Sequence, residues 1–138
     1  MLLFRGPHWD KGLSEGELHQ ALDRVMAWFD GLSARGKVKA AQPLGTEGRT
    51  ISGTNGRFVV DGPFTETKEA VGGYLLLQAD NLEEAVQIAR SMPTLQYGIS
   101  VEVRPTLAEC PIFERHPEIV QRAKERAGRA DQLVASAA

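Results

Sequence analysis

Cysteine is nearly missing from this chain, and so are the arrangements of histidine, glycine and charge that announce many chemistries. A single thiol, Cys110, in 138 residues cannot close an internal disulfide. Its neighbours Glu109 and Pro111 bring no cation to activate it, so an ordinary structural thiol is expected. The three histidines, His8, His19 and His116, never fall at ligand spacing with one another or with the thiol, and neither a metal nor a cofactor is expected. A basic excess is missing too. Sixteen Lys and Arg stand against eighteen Asp and Glu, a net charge of -2 that cannot gather phosphate backbones, so nucleic acid is excluded as a partner. No apolar stretch is long enough to cross a bilayer and Met1 does not open a leader, which together lead to an expectation of cytoplasmic residence without membrane contact. There is no strained G-x-S-x-G turn and no glycine-rich phosphate loop opening a helix, so nucleophilic and phosphoryl-transfer chemistry have no local signature.

What remains is an ordinary globular composition, 42% hydrophobic and 25% charged, in a length that suits one domain with a proper core. The centre of its organisation is Val59 to Leu77, VVDGPFTETKEAVGGYLLL. Gly62 before Pro63 stops a strand at Asp61, because the residue before proline is driven from the helical region and proline has no amide proton to give. Tyr74 to Leu77, bounded by Gly72 and Gly73, is the most apolar run and reads as a strand buried on both faces.

The other elements fall on either side. Met1 to Arg5 reads as a strand closed by Gly6 and Pro7. Ser14 and Glu17 form a capping box that starts a helix near Glu15, and Gly36 ends it near Arg35. Its stripe, Leu18, Leu22, Val25, Met26, Phe29 and Leu32, needs a sheet to cover, at roughly 1.5 to 3 kcal/mol per buried side chain. Lys37 to Ala41 alternates as an edge strand. Thr50 to Ser52 and Arg57 to Val60 flank a turn cluster, Gly53 to Gly56, and form a hairpin. Asp80 and Glu83 are expected to cap a second helix carrying Leu82, Ala85, Val86, Ala89 and Met92, stopped by Pro93. Ile99, Val101 and Val103 then alternate with Ser100, Glu102 and Arg104 as a last strand. The order predicts an α+β, ferredoxin-like βαββαβ sandwich with an inserted β-hairpin over residues 1–105. Residues 106–138 form a C-terminal extension, with a third helix expected from Pro117 along Ile119, Val120, Ala123 and Ala127.

Helices on one side leave the other face of the sheet open, and an apolar strand there calls for a cover. A second copy of the chain is the economical one, so a homodimer is expected. Ser100, Glu102 and Arg104 turn to that open face with Leu3 and Arg5, and Glu102 must find Arg5 or Arg104, or line a wet cavity. A carboxylate paired in this way would hold a ligand or the structure and would not move protons.

Asp61, Gly62, Pro63 and Phe64, then Glu66, Lys68 and Glu69, then Gly72, Gly73 and Tyr74, resemble the DGPF-domain proteins of the YCII-related family. The similarity continues through Leu2 to Gly6, the Gly45 and Thr50 region and Ile99 to Pro105. The resemblance implies a dimeric α/β barrel, and bacterial relatives whose genes often neighbour those of extracytoplasmic-function sigma factors; it implies no settled activity. Simpler relatives carry a His and Asp pair on and after the first helix. Here that stretch reads VMAWFDGLSAR, with Asp30 but no histidine, and His19 falls too early to replace it.

Three functions follow as expectations. The first is binding of a small molecule in a cavity at the dimer interface by Arg5, His8, Asp61, Tyr74, Glu102 and Arg104. The second is a cofactor-independent enzyme on the same barrel. The third is a protein partner of a sigma-factor system that makes contact through residues 106–138. His8, Trp9 and Asp10 lie after the first strand, placed to close over a cavity mouth or simply to form a loop. Asp61 equally serves as a turn-forming side chain. Phe64 is expected in the core. Glu66, Lys68 and Glu69 are expected on a solvated face, where Lys68 could neutralise an acidic ligand.

Overall fold

The computed structural model of the chain describes residues 1–6, 8–61 and 70–122. Its contacts divide it into Met1–Pro105 and Thr106–Ala138. In the first unit the order is β1 (Leu2–Arg5), α1 (Glu15–Ala34), β2 (Val38–Pro43), β3 (Thr50–Thr54), β4 (Arg57–Asp61), β5 (Val71–Leu77), α2 (Leu82–Arg90), a 3₁₀ turn (Pro93–Tyr97) and β6 (Ser100–Val103). Four strands make an antiparallel sheet in the order β2-β5-β1-β6, and β3 and β4 pair separately as a two-stranded sheet. This mixed α/β arrangement is compatible with the ferredoxin-like sandwich, and β2 lies at an edge as expected.

The core forms where one face of the sheet meets both helices. Leu2 pairs with Leu75 on one side and Val103 on the other, and Leu75 pairs with Ala41, so these four share a face. Leu2 and Leu75 are wholly buried with Leu32 of α1 and Ala89 of α2, and Phe4, Trp28, Phe29, Ile88 and Val101 pack around them. Alternation sends Leu3, Tyr74 and Glu102 to the opposite face.

The termini of α1 follow the sequence. Ser14 Oγ accepts from the Glu17 amide and a Glu17 carboxylate oxygen accepts from the Ser14 amide at 2.8 Å, satisfying two donors of the first turn reciprocally. At the other end Gly36 takes a φ of 66°, which lets the Gly36 and Lys37 amides reach back to the carbonyls of Ser33 and Leu32.

Several expectations need correction. Of the expected stripe on α1, Leu22 and Met26 are 42% and 61% exposed, while Ala21 is fully buried. The covered side of the helix is turned away from Leu22 and Met26, onto Leu18, Ala21, Val25, Trp28, Phe29 and Leu32. Asn81, not Asp80, caps α2, its Oδ1 accepting from the Glu84 amide at 2.8 Å, while Glu84 reaches back to the Asp80 amide. That helix ends at Arg90, and Pro93 opens the 3₁₀ turn that follows. Gly72 and Gly73 do not bound the apolar strand but lie inside it. At Gly73 a Cβ would stand 3.0 Å from the Gln42 carbonyl oxygen and 3.4 Å from Pro43 Cα, so glycine lets β2 and β5 meet where proline ends the edge strand. The hairpin strands run longer than expected, leaving only Asn55 and Gly56 as a turn, both at positive φ.

In the second unit a short helix, α3 (Pro111–Arg115), was not foreseen, and residues 117–122 are helical as expected from Pro117. Ala123 and Ala127 lie outside the described residues, as do Gly62, Pro63, Phe64, Glu66, Lys68 and Glu69. No helix among the described residues is long and apolar enough to cross a membrane.

Replacing Leu75 by Ala should cost about 2–5 kcal/mol of unfolding free energy, because the site is enclosed and cannot collapse. Gly73→Ala should cost about 1–3 kcal/mol by crowding backbone that has little freedom to move. Urea unfolding followed by circular dichroism measures both.

Candidate functional site

A cavity of about 630 Å³ lies between α1 and the end of the sheet where β1 and β2 finish and β5 begins. Phe4, Ala41 and Gly73 contribute from the strands, Met26 and Phe29 from the helix, and Met92 and Ile99 from the segments flanking the 3₁₀ turn. Trp9 and Leu44 complete much of the apolar wall. The missing side chain at Gly73 leaves room there as well as allowing the strands to approach.

The wall is braced. Trp9 stacks on Tyr97, with ring centroids 5.7 Å apart and planes 29° from parallel. Arg24 of α1 donates to the Tyr97 hydroxyl at 2.9 Å, so the loop after β1, the helix and the 3₁₀ turn are linked through one phenol. Two turns, with the Lys11 amide donating to the His8 carbonyl and the Leu13 amide to that of Asp10, carry the chain from the cavity to the start of α1.

Of the six residues expected to bind a ligand, Arg5, His8 and Tyr74 line this cavity. Arg5 occurs at an irregularity in the β1–β5 register, between Phe4 and Arg5, of the kind that redirects a side chain. Glu102 and Arg104 are not among the lining residues. Asp61 ends β4 opposite Thr50, and its side chain is outside the described residues. The sequence placed a chamber on the open face of the sheet, whereas this one is on the helix side and is lined by residues of a single chain. Trp9 was singled out beforehand, but Met26 and Phe29 were assigned to the core stripe. Helical periodicity tells which residues share a face and not where the sheet beneath them stops.

On the open face Glu102 has both of the partners expected for it. One carboxylate oxygen accepts from Arg5 Nη2 at 2.6 Å and Nε at 3.2 Å, and the other accepts from Arg104 Nε. These bonds, Arg5's above all, hold its carboxyl below the usual carboxylate range. Such a group is a poor general base. Lys37 and Glu84 form a second pair, 2.5 Å apart, between the segment after α1 and the first turn of α2. Their hydrogen bond lowers the pKa of Glu84 and raises that of Lys37. No group of three or more potential metal ligands occurs among the described residues.

Because Glu102 has a lower pKa folded than unfolded, the folded chain binds fewer protons there. Its stabilisation is present in full above the ordinary value of 4.5 and is lost as pH falls through the lower folded value. Glu102→Gln should therefore reduce stability at pH 7, with the difference from the parent shrinking toward pH 3. Urea midpoints across that range check it, with the acid slopes of Glu17 and Glu84 remaining in both proteins.

The sequence profile of the YCII-related domain matches residues 8–107. A stretch of 48 residues is 44% identical to an uncharacterized protein of Rhizobium meliloti (strain 1021), covering 34% of this chain and 39% of that protein. Among solved structures, 5-chloro-2-hydroxyhydroquinone dehydrochlorinase (TftG) from Burkholderia phenoliruptrix AC1100, in complex with 2,5-dihydroxybenzoquinone, aligns at 18% identity with a TM-score of 0.35. The alignment covers 77% of this chain and 93% of that one. With the profile spanning most of the sequence, the chain belongs to the YCII-related domain family.

Proposed function

We propose that this chain is a homodimeric protein that binds a small, largely apolar molecule bearing an anionic or acceptor end. The observation that carries this reading is the cavity on the helix side of the sheet. At about 630 Å³ it has the size of a small-molecule site, with aromatic and thioether walls and few polar groups. No carboxylate lines it among the described residues. Of its polar lining residues, His8 and Thr46 carry side chains that can donate hydrogen bonds, whereas the Arg5 guanidinium is held by Glu102 and Tyr74 alternates onto the open face. A ring or short acyl body against Trp9, Phe29 and Met92, with a carboxylate or phenolate toward His8, is the complement of that lining.

The dimeric α/β barrel is the finer form of this reading. Leu3, Tyr74 and Leu76 lie on the face without helices and stay only half-buried, so a second sheet laid on them would remove apolar surface from water. The Arg5, Glu102 and Arg104 group would then border the seam, with its charges already paired.

His8 also lends support to a cofactor-independent enzyme, because an imidazole in a cavity wall can exchange protons with a bound molecule. In that case His8→Ala would lower kcat by far more than its weaker binding raises KM.

Titration with 8-anilinonaphthalene-1-sulfonate, an aromatic anion, should raise its fluorescence and quench tryptophan emission at one site per chain. Trp9→Ala should weaken binding by roughly tenfold or more, equivalent to about 1.4 kcal/mol. Unchanged affinity in that variant would reject the cavity as the site. Light scattering should give twice 15.1 kDa for the parent and a monomer for Leu76→Asp.

A further inference from the structure

Trp9 differs from the other aromatic residues of the cavity wall in its support. Phe4, Phe29 and Tyr74 belong to β1, α1 and β5, whereas Trp9 lies in the loop between β1 and α1. The two backbone turns of that loop hold its chain and leave the direction of an indole open. Among the described residues the ring contact of Trp9 is with Tyr97, at 5.7 Å and 29°. Tyr97 is not a lining residue, although Met92 and Ile99 on either side of its turn are. Its ring therefore acts on a bound molecule only through Trp9.

We infer that Tyr97 is a positioning residue for Trp9, and that the indole held by it makes the cavity selective for a planar aromatic ring over a saturated ring of the same size. The inference rests on the small-molecule reading above and narrows its ligand class.

Tyr97 has a firm base. It closes the 3₁₀ turn, which is buried at Thr94, 1% exposed, and is ended by Gly98 at a φ of 85°, whose amide donates to the Leu95 carbonyl at 3.2 Å. Its hydroxyl accepts from Arg24 Nη2 at 2.9 Å, and Arg24 Nε donates to the Gln20 carbonyl at 3.2 Å, so the guanidinium is itself tied to the backbone of α1. Gly6, at a φ of 90°, brings the chain leaving β1 to the same place: a Cβ there would lie 3.6 Å from the Gly98 carbonyl oxygen and 3.7 Å from Ile99 Cα. The root of the Trp9 loop and the base of the Tyr97 ring are thus in contact.

With one face of the indole taken by Tyr97, its other face and its edges remain for the cavity. A π surface held in one orientation favours a ring that can stack on it, and an aromatic pair is worth roughly two- to tenfold in an equilibrium constant beyond the area it buries. An indole free to turn would present that surface for part of the time, and apparent affinity falls by the same fraction. Apolar area alone gives the opposite order, because a saturated bicycle has at least as much of it as its aromatic parent.

Displacement of 8-anilinonaphthalene-1-sulfonate from the full chain by naphthalene-2-carboxylate and by decahydronaphthalene-2-carboxylate tests the role. The parent should prefer the aromatic acid by roughly threefold or more. Tyr97→Leu, which keeps bulk without a ring, should bring the two acids within about twofold of each other, and Tyr97→Phe, which keeps the ring without the hydroxyl, should regain much of the preference. Trp9→Ala should also remove it, and adding Tyr97→Leu to Trp9→Ala should change nothing further, because both act through one indole. Equal affinity of the parent for the two acids overturns the selectivity. A preference in Tyr97→Leu equal to the parent's, none regained in Tyr97→Phe, or effects of Trp9→Ala and Tyr97→Leu that add, overturns the positioning role; the cavity reading survives these results as long as Trp9→Ala weakens probe binding. Absence of probe binding by the parent overturns the cavity and the positioning role together.

Discussion

A four-stranded sheet with both helices on one side is the constraint from which the rest of this structure follows. Burying Leu2 and Leu75 against Leu32 and Ala89 settles which residues of every strand face the helices, because strand side chains alternate and pairing carries the alternation across the sheet. The same choice leaves Leu3, Tyr74 and Leu76 without a helix over them. It also explains the cavity. The helix is longer than the strands beneath it, and where the sheet runs out, with Gly73 contributing no side chain, space remains between Phe29 and the strand ends.

The ion-paired carboxylate Glu102 is not part of the cavity lining, and that separation bears on function. Glu102 is held between two guanidinium groups on the open face, while among the described residues the cavity wall contains no carboxylate. Arg5 alone belongs to both, at the irregularity near the end of β1. A substitution at Arg5 therefore disturbs an ion pair and a cavity wall together, whereas one at Trp9 changes only the wall and its stacking on Tyr97.

Much of the fold was legible because local chemistry and global position agreed. Ser14, Glu17 and Gly36 bound α1 in the sequence and in the structure, since caps depend on neighbours three or four residues away. Asn55 and Gly56 likewise report their own turn. The pairing of Glu102 with Arg5 and Arg104 was readable from strand alternation with the cost of burying a charge. The cavity was not. Its wall draws on Phe4, Met26, Gly73 and Met92, which are far apart in sequence, and which side of α1 turns to the sheet is decided only when the elements pack together. The shift of the α2 cap from Asp80 to Asn81 has a smaller cause: two adjacent residues can both cap, and the helix starts where its apolar side best meets the sheet.

The position of β1 has a consequence for how the molecule is made. Preceding the other strands in the chain, it nonetheless occupies an interior place in the sheet, hydrogen-bonded to β5 on one flank and to β6 on the other. Its partners are separated from it by some seventy and a hundred residues, so the nascent strand waits unpaired while they are translated, several seconds at ordinary elongation rates of roughly 5–20 residues per second. Only four residues long and ending in arginine, it offers a poor template for aggregation during that interval.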